Sequence, residues 1–184
     1  MRVVLWMAMI LLAAPAKAQP ALGACLAEDR QPTDRVRSCT LALRATITGP
    51  QRAQALSARA SARLDAILRS LDTPGAAAPA PALFDDALAD TQEALRLAVA
   101  GDTLVTLAMI RLWRGDLSEE GRTAAVAGNM EGIVAAMTAA IAANPGAWEL
   151  YVVRGANRRL IGASGANEDF AEARRLLSRP PRSP

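Results

Sequence analysis

The chain has no histidine, one lysine, two cysteines and only six aromatic side chains (three Trp, one Tyr, two Phe) in 184 residues. Without histidine there is no Ser–His–Asp or Cys–His catalysis, no His-ligated metal or haem, and no side chain that ordinarily exchanges protons near neutral pH. Cys25 and Cys39 are fourteen positions apart (39 − 25) and fit neither a CxxC redox motif nor zinc-ligand spacing. β-Branched residues are scarce and no stretch alternates with period two, so there is no strand on which to place a dinucleotide fingerprint, and GxxxxGK[ST] is absent. Adjacent carboxylates, Glu119–Glu120 and Glu168–Asp169, project about 100° apart on a helix and form no acid–base dyad. Asp85, Asp86 and Asp90 cluster, but acidic residues in a first helical turn offset the helix dipole, and no glycine-bearing calcium loop surrounds them. No basic run with interleaved aromatics suggests nucleic acid. The expectation is a non-enzymatic protein with no cofactor and no metal.

Charge adds little. The formal net charge is +3, and the 21 basic residues less Arg2 and Lys17 leave 19 against 18 acidic ones once a leader is removed.

That leader occupies residues 1–18. Arg2 supplies the positive end, Val3–Ala14 an apolar stretch, and Ala16–Lys17–Ala18 a small-x-small site with cleavage after Ala18. The apolar stretch is shorter than the roughly 20 residues a membrane span needs, and no later segment is longer, so no membrane span is expected. Leu22–Gly23–Ala24–Cys25 also fits a lipobox, in which Cys25 would carry a lipid anchor. Lipoboxes normally abut the apolar stretch, and here Ala13–Pro20 intervenes, so the anchor is the lesser reading. Export makes a Cys25–Cys39 disulfide the expectation for this unaccompanied pair.

Alanine and leucine dominate, which argues for an all-α protein. The first helix is expected over Asp34–Ile47, with Val36, Cys39, Leu43 and Ile47 inward and Gly49–Pro50 as its stop. A second runs Gln51–Leu71, its Arg52, Arg59, Arg63 and Arg69 read as a solvated face and Asp65–Arg69 as an i,i+4 pair. Residues 19–72 thus form an N-terminal helical segment, and 73–82 a Pro/Ala-rich linker with no core-forming residue. A third helix is expected from Leu83 or Phe84 to near Gly101. Thr103–Trp113 carries only Arg111 as a charge and reads as a buried central helix. Asp116 with Glu119 is the cap signal for Leu117–Ala127. Asn129–Ala143, Ala147–Leu160 and Ala166–Leu177 follow, ahead of a tail at 179–184 that proline keeps from being helical.

Residues 83–178 contain a repeat. Gly121 and Gly155 are 34 residues apart (155 − 121), and so are Gly128 and Gly162 (162 − 128). Small residues at such a period mark helix–turn–helix arrays. With Arg114 and Trp148 as position one, the first unit continues with Ile133, Met137, Ala140 and Pro145. The second continues with Ala166, Phe170 and Ala173, one residue early. Glycines at position eight let two helices approach, the large residue at position twenty-four fills the gap, and proline ends the second helix.

These residues resemble the tetratricopeptide-repeat family, with departures at Glu120, Ala124, Arg154 and Arg158, where large apolar residues are usual. The resemblance implies antiparallel helix hairpins stacked as a short solenoid whose concave face holds a protein or peptide. It also implies that Ser118, Arg122, Ala125, Val126, Val152, Ala156, Arg159 and Leu160 line that face. Exported bacterial members often carry an early cysteine before a helix like Ser38–Cys39–Thr40. The lysine–asparagine set that grips C-terminal carboxylates in some members is missing. Arg154, Arg158 and Arg159 crowd one helix, and two readings stay open. Either they are solvated or paired with Glu168, Asp169 or Glu172 across the hairpin, or with Arg122 they meet an acidic partner segment. The expectation is a periplasmic scaffold for a protein or peptide partner, with an envelope lipoprotein anchored through Cys25, a subunit of an assembly complex, as the alternative.

Overall fold

The computed structural model describes residues 18–72 and 77–178, and every regular element among them is helical. The leader up to residue 17, the linker segment 73–76 and the tail 179–184 lie outside the described residues.

The first helix, α1 (Ala18–Leu26), has no counterpart in the sequence reading: it begins at the expected cleavage site and carries no charged residue to mark a helical face. Its Leu22 and Cys25, three apart on one face, pack toward the next helix, α2 (Pro32–Arg44). Helix α2 buries Arg35, Cys39 and Ala42 and leaves Val36 and Leu43 half-buried. Cys39 is inward as expected, and Arg35 and Ala42 take the buried places expected for Val36 and Leu43. The next helix, α3, covers Gly49–Arg69. Gly49–Pro50, expected to stop a helix, instead opens this one. The Thr48 hydroxyl accepts from Gln51 N at 3.4 Å, the Gln51 side chain accepts from Thr48 N at 3.0 Å, and proline is tolerated where no amide is needed.

After a 3₁₀ turn at Pro81–Phe84 comes α4 (Asp85–Leu97), which ends short of Gly101. Gly101 instead begins α5 (Gly101–Arg114). Gly115, at φ +86°, closes α5 with Gly115 N to Leu112 O at 3.0 Å and Asp116 N to Arg111 O at 2.9 Å. The cap of α6 (Glu119–Val126) is Ser118, whose hydroxyl accepts from Gly121 N at 3.1 Å. Asp116, the expected cap, pairs with Arg114 at 3.2 Å. Then come α7 (Met130–Ala143), capped by Asn129, α8 (Trp148–Leu160) and α9 (Ala166–Leu177), the last with its expected bounds.

Each helix packs on the next in sequence, and α5 also packs on α3 and α8. That places α5 at the centre, as its apolar sequence implies: Leu107, Ala108, Ile110, Leu112 and Trp113 are buried. The larger core draws on α3 to α9 around Phe84, Ile110, Leu112, Met137 and Val153. A smaller core holds Leu22, Cys25, Cys39, Ala42 and Ala55. Helix α3 serves both, with Ala55 in one and Ala60 and Leu64 in the other. The linker also contributes: Pro79 is buried, and its carbonyl accepts from Arg122 Nη2 at 3.1 Å. Among the described residues no helix is long and apolar enough to cross a membrane.

Candidate binding surface

The 34-residue period has a physical counterpart in the hairpins α6–α7 and α8–α9. A Cβ added at Gly121 would stand 2.5 Å from Met137 Cε, and one at Gly155 would stand 3.3 Å from Phe170 Cε1. In each hairpin the glycine of the first helix is thus the seat of the large residue of the second. Gly128 and Gly162 turn the chain between the two helices at φ +65° and +68°. Asn129 N reaches Ala124 O and Ala163 N reaches Arg158 O, both at 2.8 Å, so the two turns close alike. Ala173 is buried and Ala140 half-buried against the larger core, while Pro145 is exposed after α7.

The arginines of α8 do different jobs. Arg154 Nη2 donates to Asp169 Oδ1 at 2.6 Å and Arg158 Nη1 to Asp169 Oδ2 at 2.9 Å, with Asp169 only 3% exposed. These two are thereby held across the hairpin. The same device occurs between α3 and α4, where Arg59 and Arg63 hold the buried Asp90 at 2.7 Å each. Arg59 and Arg63 are therefore not simply solvated, and the ion pair of Asp65 is a 4.0 Å contact with Arg35. Arg122 is used at the α5–α6 corner, donating to Trp113 O and Pro79 O at 3.1 Å each. Nearby, the Glu120 carboxyl is held below its ordinary value by its own backbone N–H and then by the Ser118 hydroxyl.

Arg159 differs. It is exposed, its guanidinium lies 4.8 Å from the centre of the Phe170 ring, and its polar contact is Asn167 Oδ1 at 3.4 Å. It borders a groove of about 390 Å3 between the start of α5, α8 and α9. Leu104, Val105, Val152, Phe170 and Leu177 supply its apolar wall, Arg159 and Arg174 its cations, and Asp102 a carboxylate at one end. Neither Arg159 nor Arg174 has an ion pair among the described residues. Of the residues expected to bind a partner, Val152 and Arg159 meet here. Val126 is exposed on α6, Ala156 is half-buried on α8, and Arg122, Arg154 and Arg158 serve inside the fold. The α5 wall was not readable from the repeat. Arg174 and Leu177 carried a signal, since Phe170, Ala173, Arg174 and Leu177 recur at helical spacing on α9.

A groove of about 610 Å3 between α6, α7 and the start of α8 is floored by Ala136, Ala139, Ala140 and Ala143. Asp116, Glu120, Leu117 and Leu150 also line it, and it carries no cation. Among the described residues no cluster of His, Cys, Asp or Glu is arranged to hold a metal.

Comparison with protein-family models, with curated proteins and with solved structures finds no match to this chain.

Proposed function

We propose that this chain is a non-enzymatic helical scaffold of the cell envelope, resembling tetratricopeptide-repeat proteins, and that it binds a protein or peptide segment in the α5–α8–α9 groove. One observation carries the reading: exposed Arg159 and Arg174, neither of them ion-paired among the described residues, flank an apolar groove whose one carboxylate is Asp102. A segment with an apolar side chain for the Phe170 wall and acidic residues for the two guanidinium groups would satisfy it. The recurrence of the glycine-to-large-residue seat in both hairpins supports the repeat resemblance. The buried disulfide supports export. The lipid-anchored alternative would need the Cys25 sulfur as a thioether, and that atom is bonded to Cys39.

A photo-crosslinking residue in place of Leu177 is expected to capture one partner in the envelope, while the same residue in place of Ala139 on α7 captures none. Arg159→Glu with Arg174→Glu should remove the crosslink and leave the helical circular dichroism unchanged. Equal crosslinking at both positions, or persistence in the double variant, defeats the proposal. Export is tested separately by intact mass: the mature chain should begin at Gln19.

A further inference from the structure

A second cavity, of about 480 Å3, lies where the end of α1, α2, α3 and the first turn of α5 converge, on the other side of Asp102, which also lines the proposed partner groove. Arg35 of α2 lines it and is only 7% exposed. Its Nε is buried without a hydrogen-bond partner, and the nearest carboxylate oxygen, Asp65 Oδ2, stands 4.0 Å from Nη1. Asp65 is itself about half exposed, whereas the arginines packed against the buried Asp90 and Asp169 reach them at 2.6–2.9 Å. A guanidinium stays charged at any physiological pH, so burial without a close counter-charge is costly and calls for an anion.

The opposite wall supplies donors. Ala100, Asp102 and Thr103 border the cavity, and α5 has no side-chain cap at Ala100, which leaves its first-turn amides without partners from the helix itself. Ser57 and Ser61 of α3 add hydroxyls. The Ser57 oxygen already receives a bond from Thr103 Oγ1 at 2.9 Å, so its own proton is available to a ligand. Glu28 and Asp102 are exposed and also border the cavity, and they oppose a doubly charged guest.

We infer that this cavity binds a small carboxylate bearing a single negative charge, taken by the Arg35 fork and by donors from α5 and α3. A guanidinium matches a planar carboxylate with two parallel hydrogen bonds. A zwitterion suits the site as well, since its cation would meet Glu28 and Asp102.

The test is a titration of the ¹⁵N-labelled protein with sodium acetate, glycine or inorganic phosphate, holding ionic strength constant with sodium chloride. Acetate and glycine should move the Arg35 Nε–H and Thr103 amide resonances saturably, and phosphate should act more weakly. Arg35→Met should weaken the acetate response at Thr103 by about tenfold or more, the scale of one charge-assisted hydrogen bond. Asp102→Asn should bring phosphate closer to acetate. An Arg35 Nε–H signal that none of the three moves overturns the inference. So does an undiminished Thr103 response in Arg35→Met, and phosphate as the tightest guest overturns the single-charge assignment. Should Arg35→Met not fold, the wild-type titration alone decides.

Discussion

Asp90 and Asp169 each receive two arginines, spaced four apart, from the neighbouring helix. Each aspartate is nearly sealed from solvent, so its charge is tolerable only because it is ion-paired. Asp169→Asn should cost about 3–5 kcal/mol, because it leaves two partly buried guanidinium groups facing a neutral amide. Arg158→Met should cost less, since Arg158 is partly open to water and Arg154 still neutralises the aspartate. Urea unfolding of both variants checks the order, and a larger loss for Arg158→Met would contradict it. Pairing of Arg154 and Arg158 with Asp169 was one of two readings the sequence allowed. Four-residue spacing puts the two arginines on one face but does not say whether that face meets solvent or α9. For Arg35 the apolar pattern misled, because it favoured Val36 as the inward residue next to Cys39.

At the scale of elements, the two glycine seats differ in what they meet. A methyl at Gly155 would press on a backbone atom, Ala166 O at 3.1 Å, and on Asp169 Cβ at 3.1 Å. A methyl at Gly121 would meet the far end of a flexible side chain, Met137 Cε, at 2.5 Å. Alanine is the better helix former by about 1 kcal/mol, whereas overpacking costs about 1–3 kcal/mol. Gly155→Ala should therefore be net destabilising, with no single side-chain change that relieves it. Gly121→Ala should be destabilising alone and recover when Met137→Leu removes the colliding methyl. Thermal melts of the three variants test this, and failure of Met137→Leu to rescue would refute the contact as the cause. Helix existence was legible throughout α2 to α9, since apolar period and turn residues agree there. Ends were less so. Pro50 can close one helix or open the next, and only the Thr48–Gln51 capping pair decides. Serine beat aspartate as the cap of α6 because Asp116 had Arg114 to pair with.

At the scale of the whole molecule, α5 packs on α3, α4, α6 and α8, a centrality announced by Thr103–Trp113, which carries Arg111 as its one charge. The groove beside it was half legible: repeat positions pointed to Val152 and Arg159, but its other wall comes from a helix outside the repeat. The Cys25–Cys39 bond holds the opposite end. Removing it by Cys25→Ala with Cys39→Ala should cost about 3 kcal/mol, read from urea midpoints of oxidised wild type and variant. Indistinguishable midpoints would mean that packing alone holds α1.

The smaller core explains why packing alone should not suffice. Apart from the bridge, its buried members are Leu22, Ala42 and Ala55, with no aromatic among them. So small an apolar surface gives little reason for α1 and α2 to dock while the thiols are reduced. The bond then acts as a latch that closes only under oxidising conditions and leaves this end of the chain loose until it forms. Because α1, α2 and the loop between them carry Leu26, Arg35 and Glu28 of the second cavity, the latch bears on that cavity as well. Competence for the proposed carboxylate guest would be acquired on oxidation and erased by a dithiol reductant, with the larger core around α5 left in place.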